Sequence, residues 1–135
     1  MKTVLVLEGG AMRGLYTSGV LDVFMDNHID FDCTVGVSAG ALIGSNYISN
    51  QRGRTAYINI NYCKDSNYIG LGAIRNSKGL VGFNYLFGEI GRKQKPFDEE
   101  TFYSSDKRFV IGATNCNTGK TEYFEKTEKD IYHRT

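Results

Sequence analysis

One segment organises this chain: Cys33-Thr34-Val35-Gly36-Val37-Ser38-Ala39-Gly40-Ala41-Leu42-Ile43-Gly44. Residues 33–37 form a short apolar run that predicts a strand, and the residues after position 40 predict a helix that continues towards Asn50. A Gly-x-Ser-x-Gly turn between a strand and a helix is typical of a nucleophile elbow, in which a strained serine holds its hydroxyl clear of the sheet. A tight structural turn is the alternative interpretation, so the neighbouring segments must decide between the two.

The N-terminal segment predicts a strand and a helix ahead of this turn. Val4 to Leu7 form a continuous apolar run, which is typical of a strand buried on both faces in a parallel sheet. After Glu8-Gly9-Gly10, apolar residues recur at helical spacing and predict a helix from about Gly14 to Asn27. The resulting order of strand, helix, strand and helix favours a right-handed parallel α/β unit.

The rest of the chain is less regular. Glycines interrupt residues 51–96, where we expect short helices and loops over the face of the sheet, and residues 57–62 fit either a strand or a helix. Residues 109–114 predict a strand, residues 117–120 a turn, and residues 121–124 the hairpin partner of that strand. The sequence therefore predicts a single α/β domain with a mostly parallel sheet.

The composition is that of an ordinary globular protein and argues against several classes of function. The chain has 135 residues, of which 41% are hydrophobic and 23% charged, and its formal net charge of +1 creates no global field that would attract nucleic acid. The three cysteines form neither a disulfide framework nor a CxxC pair, so we expect no metal site and no cofactor. We find neither a signal peptide nor a transmembrane segment, which predicts a cytoplasmic protein.

A glycine-rich loop, Gly9-Gly10-Ala11-Met12-Arg13-Gly14, follows the first predicted strand. Such a loop can cradle a dinucleotide phosphate, but Ala11 stands where the G-x-G-x-x-G fingerprint has its middle glycine. The loop can instead present backbone N–H groups to an oxyanion. Together with Ser38 after the neighbouring strand, it favours a hydrolase site. A non-catalytic or nucleotide-phosphate-binding α/β module stays open as the alternative.

Both motifs resemble those of the patatin-like phospholipase family. The loop from Glu8 to Gly14 is similar to the family's glycine-rich signature, and the turn from Gly36 to Gly40 is similar to its nucleophile elbow. The segment from Ala113 to Gly119 resembles a later strand and turn of the family domain. The resemblance covers nearly the whole chain, and it implies a three-layer α/β/α sandwich that hydrolyses acyl esters of lipids with a Ser–Asp dyad.

The resemblance also implies roles for particular residues. Ser38 would be the catalytic residue that attacks the ester carbonyl. The residues that complete its elbow would be Gly36, Val37, Ala39 and Gly40. The residues of the oxyanion hole would be Gly9, Gly10, Ala11, Met12, Arg13 and Gly14. Ala11 departs from the commoner glycine, and a positive φ at this position would be costly because alanine carries a Cβ.

The catalytic aspartate is the part of the resemblance that this sequence lacks. The family places it in an Asp-Gly-Gly or Asp-Gly-Ala motif, and neither tripeptide occurs here. Serine is a weak nucleophile without a base. We therefore expect residues 1–135 to be the N-terminal portion of one hydrolase domain, with the aspartate beyond Thr135 and little activity in this chain alone. A histidine base is less favoured, because His28 suits the end of the first helix and His133 is almost terminal.

Aromatic and basic side chains of the middle region are candidates for substrate contacts. Six aromatic residues would suit an acyl groove, although such residues more often fill a core: Tyr57, Tyr62, Tyr68, Phe83, Tyr85 and Phe87. Arg92, Lys93 and Lys95 form a small basic cluster, for which a solvated loop is the default interpretation and anionic lipid headgroups are the alternative. We expect a lipid or other ester substrate, transient contact with a membrane surface as a weaker hypothesis, and no nucleic-acid partner. The sequence leaves the oligomeric state open.

Overall fold

The computed structural model describes residues 2–77, 79 and 81–127, and within them a four-stranded sheet forms the centre of the fold. The strands lie in the order β1-β2-β3-β4, with the bounds β1 Val4–Leu7, β2 Cys33–Val37, β3 Arg108–Thr114 and β4 Thr121–Glu125. The first three strands are parallel, and β4 pairs antiparallel with β3. The predicted α/β class with a mostly parallel sheet is confirmed.

Helices fill the connections between the strands. Their bounds are α1 Gly14–Asp26, α2 Ala39–Ile48, α3 Arg54–Tyr62, α4 Leu71–Ser77 and α5 Glu99–Ser104. A 3₁₀ turn, Ala11–Arg13, precedes α1, and a π-helix, Tyr85–Gln94, lies between α4 and α5. The short helices expected in the middle region are therefore present. No helix in the described ranges has both the length and the apolar character needed to cross a bilayer.

The main core lies between α1, α2 and one face of the sheet. Its buried members are Leu7, Leu21, Ile43, Tyr47, Ile48, Phe102 and Phe109. The close approach of α2 to the sheet depends on Gly44, because a Cβ at that position would lie 2.8 Å from Cε2 of Phe109. This distance leaves no room for a larger side chain at position 44. The glycine therefore allows α2 to pack closely against β2 and β3.

The prediction that β1 is buried on both faces is wrong. Leu5 and Leu7 pack against the main core, whereas Val4 and Val6 are 55% and 72% exposed. Alternate side chains of a strand point to opposite faces of its sheet. Since β1 is an edge strand and the main core lies on one face, Val4 and Val6 point away from the helices and stay in contact with solvent.

The middle region forms a second, smaller core beside the first. Its buried members are Ile58, Tyr68, Leu86 and Ile90. The segment 57–62, which the sequence left open between strand and helix, is helical because Ile58 and Tyr62 stand one turn apart and both pack into this cluster. An isolated antiparallel bridge joins Ile69 to Val81 in the same region. The two cores together form the walls of the cleft described below.

Candidate active site

Ser38 stands at the sharp turn between β2 and α2. Its backbone dihedrals, φ 53 and ψ −123, lie in the positive-φ region that favours glycine, and a non-glycine residue there costs about 1–3 kcal/mol. Gly36 permits the turn, since a Cβ at that position would lie 2.6 Å from Cα of Ala41. Ser38 itself is exposed. Strain at an exposed serine between a strand and a helix is a feature that a nucleophile elbow also has.

The glycine-rich loop meets this turn at the same edge of the sheet. A Cβ placed on Gly9 would lie 3.1 Å from Cβ of Ser38 and 3.8 Å from its Oγ, and 3.4 Å from the carbonyl oxygen of Val37. The backbone of Gly9 therefore lies directly beside the Ser38 side chain. The structure brings the two sequence motifs together, as their positions after neighbouring parallel strands suggested.

The remaining residues of the loop have different surroundings. The Arg13 amide donates to the Gly10 carbonyl at 3.0 Å and closes the 3₁₀ turn, while the Arg13 side chain is exposed and does not line the cleft. Ala11 adopts φ 47, which is the positive φ that its Cβ makes costly. Ala11 and Met12 line the cleft beside Ser38. Gly14 faces α2, where a Cβ would lie 2.5 Å from Cδ1 of Ile43.

A cleft of about 420 Å³ opens in front of Ser38. Its walls are mostly apolar and come from α2, α3, the π-helix and the carboxyl end of β3. Of the six aromatic candidates, Tyr68, Phe83 and Phe87 line this cleft, and Tyr57, Tyr62 and Tyr85 do not. Several other lining residues were not among the candidates predicted from the sequence, among them Thr55, Asn59, Ile69, Val81 and Thr114. The predicted strand at residues 109–114 was the one available signal, since it pairs parallel with β2 and its carboxyl end reaches the same sheet edge.

The surroundings of Ser38 lack a general base in the described part of the chain. No aspartate, glutamate or histidine of residues 2–77, 79 and 81–127 lines the cleft, and the Ser38 hydroxyl has no hydrogen-bond partner among them. Within the same residues, no three His, Cys, Asp or Glu side chains stand close enough to hold a metal ion. His28 follows α1, where its amide donates to the Met25 carbonyl at 3.2 Å. His133 lies outside the described residues.

Among the residues that the structure describes, Tyr68 is the titratable side chain that lines the cleft. Burial is the main cause that raises its pKa, with the neighbouring Cys63 adding to the effect. Its hydroxyl donates to Oδ1 of Asn59 at 3.0 Å. Tyr68 is therefore a neutral hydrogen-bond donor at physiological pH and is not a base for Ser38.

Comparisons with known proteins identify the family. The family model of patatin-like phospholipase matches residues 5–131. The uncharacterized protein YjjU of Escherichia coli strain K12 is 30% identical over 133 residues, which are 96% of this chain and 37% of that protein. The chain thus spans little more than a third of the length of this curated relative. No solved structure gave a match. Because the family model covers nearly all of the sequence, this chain belongs to the patatin-like phospholipase family, a family of lipid acyl hydrolases.

Proposed function

We propose that the complete form of this protein is a serine hydrolase that cleaves acyl esters of lipids, with Ser38 as its nucleophile. The observation that carries the proposal is the contact between Gly9 and Ser38 beside an apolar cleft. An ester carbonyl bound at this contact would meet a serine oxygen and backbone amides at the same time. The apolar walls of the cleft favour an acyl chain as the neighbouring part of the substrate.

The proposed reaction has two steps. Oγ of Ser38 attacks the carbonyl carbon while a base accepts its proton, and the tetrahedral intermediate places its negative charge on the former carbonyl oxygen. The ester C–O bond then breaks, the alcohol leaves with the proton that the base returns, and Ser38 remains acylated. A water molecule attacks the acyl-enzyme in the same manner and releases the fatty acid.

Backbone amides of the glycine-rich loop are the proposed oxyanion donors. Those of Gly9, Gly10 and Ala11 follow β1 at the edge where Ser38 stands, and Met12, Arg13 and Gly14 complete the loop. The amide of Ala39 is a further candidate, because the first amides of a helix have no carbonyl partner within the helix. The positive end of the α2 dipole favours the same negative charge.

The base is proposed to be an aspartate outside these 135 residues. The missing Asp-Gly-Gly or Asp-Gly-Ala motif and the absence of a carboxylate from the described cleft lining both support this assignment. The span of 37% of the length of YjjU is consistent with a longer complete protein. On this proposal residues 1–135 alone have little activity, because the Ser38 hydroxyl would lack the group that accepts its proton.

A fluorophosphonate probe tests the assignment of Ser38. We expect the longer form of the protein to be labelled, and the Ser38→Ala variant to lose the label completely. Ser45→Ala is the matched control: Ser45 also lines the cleft, but its hydroxyl donates to the Leu42 carbonyl at 2.8 Å and should not react. Labelling that persists in Ser38→Ala would exclude this serine as the nucleophile.

Calorimetry with ATP separates the proposal from the nucleotide-binding alternative. An acyl hydrolase should show no tight binding of ATP, since the cleft beside the loop is apolar and a phosphate would lose its hydration there. Tight binding that the Gly10→Asp variant abolishes would instead assign the glycine-rich loop to a phosphate.

A further inference from the structure

A second cavity of about 110 Å³ adjoins the cleft in front of Ser38. The two share six lining residues: Leu42, Thr55, Asn59, Tyr68, Leu86 and Phe87. The second cavity touches neither Ser38 nor the glycine-rich loop, and it reaches Asn46 on α2. From Ser38 to Asn46 the helix rises roughly 12 Å at about 1.5 Å per residue, so the two cavities together lie along about two turns of α2.

The chemical character of the walls changes at the junction, which is where the two cavities share lining residues. The walls near Ser38 are mostly apolar, but beyond the junction the lining includes Asn46, Arg54 and Glu99. Nδ2 of Asn46 donates to Oγ1 of Thr55 at 2.8 Å, and Nη1 of Arg54 donates to Oδ1 of Asn46 at 3.0 Å. Arg54 also donates to the Lys95 carbonyl, which ties the network to the chain that precedes α5.

Asn59 and Tyr68 complete a polar barrier at the junction. The Tyr68 hydroxyl donates to Oδ1 of Asn59 at 3.0 Å, and Nδ2 of Asn59 donates to the Thr55 carbonyl at 3.0 Å. Both residues line the two cavities. The Asn59–Thr55 hydrogen bond lies within α3, whereas the Tyr68–Asn59 hydrogen bond joins two segments across the junction. An apolar chain that extends between Tyr68 and Asn59 must separate this hydrogen bond without replacing either partner, which costs more than the burial of a further methylene returns.

We propose that Thr55, Asn59 and Tyr68 form the floor of the acyl site and limit it to medium-length acyl chains. This inference rests on the proposed hydrolase function, because it places the ester carbonyl at Ser38. Each methylene that enters the apolar part of the cleft strengthens binding roughly fourfold. Once the end of the chain reaches the floor, further methylenes add nothing. We refer to these three residues below as the polar floor.

Fatty acids of increasing length, the products of the proposed reaction, test the polar floor without any need for catalysis. We would measure the binding of hexanoate, octanoate, decanoate, dodecanoate and palmitate to the 135-residue chain, by displacement of a fluorescent fatty acid below micelle concentrations. Affinity should rise roughly fourfold per methylene over the shorter members of the series and level off before palmitate. A rise that continues at the same rate to palmitate would overturn the proposal.

The double variant Asn59→Leu with Tyr68→Phe makes the floor apolar and removes both partners of one hydrogen bond. We expect palmitate to bind at least tenfold more tightly than to the unsubstituted chain, with hexanoate unchanged. Asn61→Leu is the matched control: Nδ2 of Asn61 donates to the Tyr57 carbonyl at 2.8 Å on the same helix, but Asn61 is exposed and lines neither cavity. Its binding profile should equal that of the unsubstituted chain.

The outcomes distinguish this inference from the proposed function. A folded double variant with an unchanged length profile would remove the polar floor and leave Ser38 untouched. If the unsubstituted complete protein is not labelled by the fluorophosphonate probe, the proposed hydrolase is refuted, and the polar floor no longer has an acyl chain to limit. If the double variant does not fold, the series of fatty acids measured on the unsubstituted chain still tests the polar floor, because that measurement needs no substitution.

Discussion

Gly40 lies directly on the carbonyl oxygen of Leu7. A Cβ at position 40 would stand 2.3 Å from that oxygen and 2.6 Å from the carbonyl oxygen of Glu8. Leu7 ends β1 and Gly40 belongs to the first turn of α2. This contact sets the distance between the glycine-rich loop and the Ser38 turn, so the candidate site depends on the absence of one side chain.

We predict that Gly40→Ala destabilises the fold. The neighbouring atoms are backbone and cannot rotate away, so the extra methyl group must push α2 from the end of β1, at a cost of about 1–3 kcal/mol or more. The free energy of unfolding in urea measures the effect.

Gly19→Ala is the control for this prediction. Gly19 lies within α1, is exposed, and has no atom within 4 Å of a Cβ built on it. Replacing an exposed helical glycine with alanine should stabilise the protein by about 0.5–1 kcal/mol. Equal effects of the two substitutions would mean that the close approach of Gly40 to Leu7 carries no energetic weight.

A second prediction concerns the strain at Ser38. Both Ser38→Gly and Ser38→Ala remove the hydroxyl, but glycine alone relieves the cost of φ 53 and ψ −123. We therefore expect Ser38→Gly to be more stable than Ser38→Ala by about 1 kcal/mol in thermal unfolding, with fluorophosphonate labelling of the complete protein lost in both. A glycine variant that is the less stable of the two would show that the turn stores no strain.

The third prediction concerns the pH dependence of the hydrogen bonds between Thr3, which precedes β1, and Asp32, which precedes β2. We call this pair of residues the clamp. The Thr3 amide donates to Oδ2 of Asp32 at 2.6 Å, and the Thr3 hydroxyl donates to the same oxygen at 3.0 Å. The backbone hydrogen bond from Thr3 is the main cause that holds the pKa of Asp32 below its ordinary value of 3.8. The folded state therefore favours the charged carboxylate.

Because the pKa is lowered on folding, the clamp stabilises the protein fully above the unfolded value of 3.8 and is lost as the pH falls through the lower folded value. Asp32→Asn should lower the free energy of unfolding near neutral pH. The difference in this free energy between the variant and the unsubstituted chain should shrink below about pH 4. Asp106→Asn is the control, since the Asp106 carboxylate ahead of β3 accepts no hydrogen bond from the described residues and acts on Lys126 through its charge alone. If the difference in unfolding free energy between Asp32→Asn and the unsubstituted chain stays constant down to strongly acidic pH, the carboxylate of Asp32 does not stabilise the fold through the clamp.

Several features of the site were predictable from the sequence because they depend on neighbouring residues. The small residues of the turn around Ser38 and the glycines after β1 specify local backbone geometry, and the order of the strands brings both to one sheet edge. The cost of Ala11 was likewise predictable, since a positive φ is unfavourable for any residue with a Cβ.

Other features depend on partners that are distant along the chain. The exposure of Val6 follows from the position of β1 at the sheet edge, which an apolar run does not reveal. Residues 57–62 became a helix because Ile58 found a buried position among residues some thirty positions later, such as Leu86 and Ile90. A repeat of apolar residues records only the spacing of side chains, whereas their burial depends on what packs against them.

By itself, then, the sequence determined the α/β class, the strained serine turn and the loop beside it, because these arise from interactions within a few residues. Only the tertiary structure decided the shape and the polar floor of the cleft. Asn59 meets Tyr68 and Arg54 meets the Lys95 carbonyl through the folding of separate segments, and no local pattern encodes those contacts. Hydrogen bonds between separate segments form only when the chain has closed the loops that bring those segments together.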